Sequence, residues 1–199
     1  MPKQYDQSYF DRWYRATGRV KEPQALMRKV RMAVAVAEFQ LGRPIENVID
    51  IGCGEGAWLA PLRALRPRVR YLGIDSSEYA IARYGRARNL RLLRFEQLAE
   101  QRFDETYDLL VCSDVMHYVP TPELLRGLSG FAEIGHGLAF MDLFAKGDAF
   151  VGDREEFQPR TAAFYRKVFA KHGWFSCGSH CYLSRELLKR ASQLELASV

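Results

Sequence analysis

The stretch Val48-Ile49-Asp50-Ile51-Gly52-Cys53-Gly54-Glu55-Gly56-Ala57-Trp58 decides how the chain is read. Asn47–Ile51 has the β-branched composition of a buried strand and runs straight into three alternating glycines. Glycine lets a backbone approach a ligand where any Cβ would collide. The helix expected from about Ala57 to Leu65 offers N–H groups at its start. In open α/β sheets, ligands bind at the carboxyl ends of strands where strand order reverses, and a loop of this kind sits at such a point. Gly52-x-Gly54-x-x-Ala57 also satisfies the loose dinucleotide fingerprint, so the loop alone leaves two nucleotide classes open.

Outward from the loop, strands and helices alternate. Val69–Ile74 reads as a second strand, after which Ser76 can cap a helix running to about Tyr84. Leu90–Phe95, Tyr107–Cys112 and Gly137–Leu143 read as the third, fourth and fifth strands. Pro122–Ile134 and Arg160–His172 supply helices, the second closed by Gly173. Trp174–Leu183 looks like a sixth strand, unless Gly178-Ser179 splits it into two short arms, and Ser184–Leu196 like a terminal helix. Such alternation with nearly continuous apolar strands predicts an α/β fold: a doubly wound, mostly parallel sheet of six to seven strands with helices on both faces.

The first 41 residues stand outside that rhythm and are expected to form an N-terminal helical cap on a domain spanning 42–199. Leu26, Val30, Ala33, Val34, Ala37 and Leu41 recur at helical spacing, predicting an amphipathic helix over Pro23–Leu41. Ahead of it Tyr5, Tyr9, Phe10, Trp13 and Tyr14 mix with Asp6, Asp11, Arg12 and Arg15. These rings either staple a helix to the core or form a lid over a pocket.

Composition narrows the field further. A chain of 199 residues, 48% hydrophobic and 27% charged, suits one folded domain and excludes intrinsic disorder. No uncharged apolar run approaches the ~20 residues of a membrane span. Met32–Ala37 follows Arg28, Lys29 and Arg31 without a cleavage pattern, so a cytoplasmic location is expected rather than secretion. Cys53, Cys112, Cys177 and Cys181 are too scattered for a disulfide scaffold. The formal charge is +5, but the arginines from Arg63 to Arg94 fall on several elements, which reads as a solvated surface rather than a nucleic-acid face.

With Asp50 two residues before Gly52 and Gly56 two after Gly54, the loop spells D-x-G-x-G-x-G. It resembles the first motif of the class I S-adenosylmethionine-dependent methyltransferases, which have a Rossmann-like domain. The next strand ends Tyr71-Leu72-Gly73-Ile74-Asp75-Ser76-Ser77, with an acid at its tip, as in that family. Tyr107-Asp108-Leu109-Leu110-Val111-Cys112-Ser113-Asp114-Val115-Met116-His117-Tyr118-Val119 is similar to the family's fourth motif, so the resemblance spans about Asn47 to Leu143.

The resemblance implies an enzyme that takes S-adenosylmethionine and releases S-adenosylhomocysteine. It implies donor contacts at Asp50, Gly52, Cys53, Gly54 and Gly56, at Asp75 and Ser76, and at Cys112, Ser113 and Asp114. Asp75 would accept hydrogen bonds from the ribose hydroxyls. After the third strand, Glu96 or Gln97 would meet the adenine amino group with Phe95 packing on the ring. Glu96 could equally just open the next helix, where its charge suits the dipole.

For the acceptor side, His117, Tyr118 and Asp142 are the candidate catalytic residues. His117 is either a base near the transferred methyl or a loop-bonding residue, and Asp142 either faces the acceptor or caps a loop. No Asn-Pro-Pro-Tyr or Asp-Pro-Pro-Tyr tetrad follows the fourth strand, where Ser113-Asp114-Val115-Met116 stands. The accessory parts, the N-terminal helices and the Phe144–Pro159 loop, have the size of a pocket. A small-molecule acceptor methylated on oxygen or nitrogen is therefore expected. A protein or RNA acceptor, or a non-catalytic binder, are the alternatives. Arg12, Arg15, Arg154 and Arg160 make a carboxylate-bearing acceptor conceivable. Cys177-x-x-His180-Cys181 suggests zinc, but strand alternation sends His180 and Cys181 to opposite faces, so no metal is expected.

Overall fold

The strands predicted from apolar runs pair into one sheet, which fixes everything above it. The computed structural model describes residues 5–15, 23–149, 153–192 and 194; the side chains of Tyr14 and Pro23 lie outside that description, as does the join between the two N-terminal helices. The chain opens with α1 (Gln7–Phe10), a π-helical turn over Asp11–Arg15, and α2 (Pro23–Leu41). Then come β1 (Asn47–Ile51), α3 (Leu59–Leu65), β2 (Arg70–Asp75), α4 (Glu78–Arg88) and β3 (Leu90–Leu92). A 3-10 turn over Phe95–Ala99 leads to β4 (Tyr107–Ser113), α5 (Thr121–Ile134), β5 (Gly135–Asp142) and α6 (Ala162–Lys171). The chain closes with β6 (Trp174–Gly178), β7 (Cys181–Ser184) and α7 (Arg185–Leu188).

The sheet has seven strands in the order β3-β2-β1-β4-β5-β7-β6. The pairings of β1, β2, β3, β4 and β5 are parallel, and β7 runs antiparallel to both of its neighbours. Strand order reverses between β1 and β4, so the crevice expected at such a switch point opens above their carboxyl ends.

Alternation along each strand sorts side chains into two layers. Val48, Leu109, Val111, Leu138 and Phe140 pack with Val30, Ala33 and Ala37 of α2, Leu59 and Leu62 of α3, and Leu187 of α7. Ile49, Leu110, Cys112, Ala139 and Met141 face the opposite way, against Leu124, Leu128 and Phe131 of α5 and Phe169 of α6. The predicted α/β architecture is the one observed.

Five element boundaries differ from expectation. The sixth strand is a hairpin: Ser179 and His180 both take left-handed backbone (φ 50° and 60°), turning the chain so that β7 inserts between β5 and β6. The third strand stops at Leu92 because β2, its sole partner, ends at Asp75 opposite it, and Phe95 belongs to the 3-10 turn. Ser77, not Ser76, caps α4 through Ala80 N–H, and α3 begins at Leu59 after a wider turn. The terminal helix ends at Leu188: Leu187 anchors it in the core, whereas Leu194 is 98% exposed.

Away from the crevice, the amino end of β4 is tied by one buried carboxylate. Asp108, 1% exposed, accepts from both Arg43 guanidinium nitrogens (2.9 and 2.7 Å) and from Glu46 N–H (2.7 Å), with His136 Nε2 3.1 Å away. Burial pushes its carboxyl pKa up, but the Arg43 and Glu46 bonds outweigh burial and hold it below the ordinary range. Asp108→Ala should therefore lower unfolding free energy by about 1.5–3 kcal/mol in urea melts at neutral pH. Because the folded value is depressed, this contribution is complete above roughly pH 4 and fades as pH falls through the folded value, so wild type and variant should converge in strong acid.

Candidate active site

The glycine loop is shaped by its contacts beneath the crevice. Gly52 and Cys53 both donate backbone N–H to the Ile74 carbonyl (2.7 and 3.0 Å), folding the loop back over the end of β2. Gly52 has φ +72°, and a Cβ there would lie 2.2 Å from Val115 Cγ2. Gly54, at φ 54°, donates its N–H to Asp75 Oδ2 at 2.7 Å. The other oxygen of Asp75 accepts Ser77 N–H at 2.8 Å. One carboxylate thus joins the loop after β1 to the start of α4 and is itself held in one orientation.

Above this floor lies a cleft of about 920 Å³, near the upper end of the range usual for small-ligand sites. Gly52, Gly54, Asp75 and Ser76 line it, with Phe95 and Glu96 from the 3-10 turn and Asp114 and Tyr118 beyond β4. Phe95 packs edge-tilted on Phe131 of α5, ring centres 5.6 Å apart. Tyr5, Asp6, Tyr9 and Phe10 close one side. That segment is seated by Ser77 Oγ–H donating to the Tyr5 carbonyl, by Phe10 against Tyr79 at 5.7 Å, and by an Arg15–Glu55 ion pair. Asp6 caps α1 through Tyr9 N–H at 3.0 Å.

Several residues expected at the ligand stand elsewhere. Asp50 is buried on the α2 face, where its carboxylate accepts Tyr71 Oη–H at 2.8 Å. Cys53 and Gly56 support the loop from below: Cys53 is buried in the α2-side core, and the Gly56 N–H donates to the Cys53 carbonyl at 2.9 Å. Cys112 is fully buried in the α5-side core, and burial pushes its thiol pKa well up. Ser113, one residue on, alternates to the other face and is not part of the cleft wall.

Of the three catalytic candidates, Asp142 and His117 also stand away from the cleft wall. Asp142 follows Leu138 and Phe140 onto the α2 face, where it forms an ion pair with Lys29 and lies 3.7 Å from His180 Nε2. His117 has no exposed surface; its Nδ1 accepts Phe144 N–H at 3.4 Å and its ring is packed by Tyr118, Phe144 and Phe157 at 4.2–5.8 Å. Its loop-bonding alternative is the one the geometry supports. Tyr118 alone of the three lines the cleft, donating its hydroxyl to the Asp153 carbonyl at 2.7 Å. Burial, then Asp153 and Asp114, push its phenol pKa up, so it stays protonated and acts as a donor rather than a base.

Arg160 is 8% exposed, its guanidinium bonded to Thr121 Oγ1, to the Met116 and Val119 carbonyls and to Tyr165 Oη. It braces the loop after β4 and does not reach the cleft. Glu123 and Glu156 do line it and were not singled out by motif. Position offered a partial signal, since Glu123 opens α5 just past the fourth motif and Glu156 sits in the Phe144–Pro159 loop.

Fold and cleft together define a Rossmann-like domain with a cleft above the β1/β4 switch point. Residues 49–134 match the family model described as a methyltransferase domain. Trans-aconitate 2-methyltransferase of Deinococcus radiodurans is 39% identical over 87 residues, 43% of this chain and 33% of that protein. The chain thus spans about a third of that curated relative's length. Among solved structures, the amino pentose methyltransferase CalS10 of Micromonospora echinaspora, with S-adenosylmethionine bound, superposes with TM-score 0.64 at 14% identity, covering 92% of this chain and 98% of that one. Magnesium protoporphyrin IX methyltransferase of Synechocystis PCC 6803, with S-adenosylhomocysteine bound, gives 0.58 at 23% identity over 85% and 86%. Residues 49–134 thus match a methyltransferase domain, on a fold shared with these solved methyltransferases.

Two substitutions test this geometry. Gly52→Ala combines a strained left-handed backbone with overlap against Val115, and should cost about 2–4 kcal/mol of stability by thermal or urea melts. His117→Ala leaves a cavity behind Tyr118 and a backbone N–H without its acceptor. It should lower stability by about 2–4 kcal/mol, whereas a solvent-facing base would leave the melt unchanged.

Proposed function

We propose that this chain is an S-adenosylmethionine-dependent methyltransferase acting on a small molecule held in the cleft. The observation that carries the reading is Asp75, fixed by Gly54 and Ser77 at the tip of β2 and facing the cleft beside a backbone loop with no side chains in the way. A carboxylate has about four acceptor sites, enough for two backbone N–H groups and a ribose diol. Gly52 and Gly54 let the loop backbone approach the donor's amino-acid tail, and Phe95 with Glu96 flanks the place for the adenine. S-adenosylmethionine, when bound, supplies a methyl group on a positively charged sulfur that an acceptor displaces in line.

The residues around the donor serve position and dryness. Tyr118, Val119 and Glu123 form the wall beyond β4, against which an acceptor is held in line, and proximity of this kind lowers the barrier by several kcal/mol. The Tyr5–Phe10 segment covers the side of the cleft and keeps water away. The support from relatives is consistent: the family match is to a methyltransferase domain, and structural neighbours act on small molecules, among them an amino pentose and a porphyrin. We place the protein in the cytoplasm because its four cysteines are too few and too scattered for a disulfide scaffold; no helix among the described residues is long and apolar enough to cross a membrane.

Calorimetric titration tests the donor site. S-adenosylhomocysteine should bind with micromolar-range affinity and NAD should not. Asp75→Asn should weaken binding by about 1.5–3 kcal/mol for each charge-assisted bond lost, with melts run alongside because Asp75 also ties the loop. NAD binding without a response to S-adenosylhomocysteine would overturn the assignment.

A further inference from the structure

A glycine inside a helix needs a reason, because alanine is the better helix former. In α5, Gly127 and Gly130 both lie against the 3-10 turn over Phe95–Ala99. A Cβ on Gly127 would stand 2.4 Å from the Phe95 carbonyl oxygen and 2.4 Å from its ring Cδ1. One on Gly130 would stand 2.2 Å from the Leu98 carbonyl oxygen. Backbone does not yield at such distances as the tip of a flexible side chain does, so a larger residue lifts the turn off the helix. The Phe95 ring lies over Gly127, with Phe131 beside it one helical turn further on.

The start of the turn is held as well. The Gln97 side-chain carbonyl accepts Arg94 N–H at 2.8 Å, while Gln97 N–H donates to the Arg94 carbonyl at 3.1 Å. Just ahead, Leu93 N–H donates to the Asp75 carbonyl at 3.0 Å, which keeps the turn in step with the tip of β2. Gln97 is thereby committed to the turn; it is exposed and outside the cleft wall, whereas Phe95 and Glu96 line it. Of the two residues that could answer an adenine amino group, this geometry leaves Glu96.

We infer that Gly127 and Gln97 are positioning residues for the donor's base, holding the turn where the Glu96 carboxylate accepts the adenine amino group. The inference rests on the methyltransferase reading. A carboxylate accepts and the amino group donates, so the pair makes a charge-assisted bond that weakens steeply as distance and angle degrade. Neither Gly127 nor Gln97 lines the cleft, so any effect they have on the base passes through the turn. A lifted or uncapped turn still presents Glu96, but out of hydrogen-bond reach.

Calorimetry tests this by comparing S-adenosylhomocysteine with an analogue whose purine carries hydrogen in place of the exocyclic amino group. Wild type should prefer the amino compound by about tenfold or more, the scale of one charge-assisted hydrogen bond. Gly127→Ala and Gln97→Ala should each cut that preference to about threefold or less. Glu96→Ala should abolish it, and Gly127→Ala added to Glu96→Ala should change it no further. Asp108→Ala, at the opposite end of β4, should lower the melting temperature and keep the wild-type preference, which separates positioning from general loosening. A wild-type preference in Gln97→Ala, or in a folded Gly127→Ala, overturns the inference, and so does an equal loss in Asp108→Ala. Gln97 is exposed, so its variant folds and is decisive even where Gly127→Ala does not fold. Wild type that fails to bind S-adenosylhomocysteine fells the methyltransferase reading itself, whereas binding without a preference between the two compounds fells this inference alone.

Discussion

The crevice depends on one carboxylate. Asp75 takes the Gly54 N–H on one oxygen and the Ser77 N–H on the other, so the loop after β1 and the start of α4 are parts of one hydrogen-bonded unit. Without it the two backbones would present unsatisfied N–H groups toward the same floor. Ser77 then extends the unit in two directions through its side chain, capping α4 at Ala80 and donating to Tyr5. The cleft floor, the helix start and the N-terminal cover therefore share a single point of attachment.

Strand alternation decides which of the chain's many polar residues can do chemistry. Asp50 and Asp142 stand on β1 and β5 in the parity of Val48 and Phe140, so they face α2 and are answered there by Tyr71 and Lys29. A carboxylate on a buried face needs such partners, because leaving it unpaired is far costlier than any benefit of position. The cleft is built from what lies past the strand ends, where Asp114 turns with φ 62° and donates its N–H to the Asp142 carbonyl. Chemistry sits on the loops and order on the strands.

Much of this is legible in the sequence, and the limits have physical causes. The loop from Gly52 to Gly56 and the acid at Asp75 can be read because backbone requirements, φ above zero and close approach, leave few residue types possible. Parity was available too: counting from Leu138 and Phe140 already sends Asp142 to the α2 side. His117 misleads because its type fits a base, while its burial depends on Phe144 and Phe157, which arrive from a loop distant in sequence. Arg160 misleads likewise, since Met116, Val119 and Thr121 claim its guanidinium only once the loop after β4 has folded. Glu123 and Glu156 are silent as motif residues, and only the fold brings them to one wall.

The N-terminal segment resolves the choice between staple and lid by doing some of each. Phe10, 2% exposed against Tyr79, is a staple, as is the bond from Ser77 to the Tyr5 carbonyl. Arg15 and Glu55 pair with 38% and 16% of their side chains exposed, where an ion pair contributes at most about 1 kcal/mol. Ordering each residue of such a segment costs roughly 1–2 kcal/mol of backbone entropy. Tyr5, Asp6 and Tyr9 line the cleft, so a segment stapled at Phe10 also supplies part of its wall. A ligand that fills the cleft adds contacts to those same side chains.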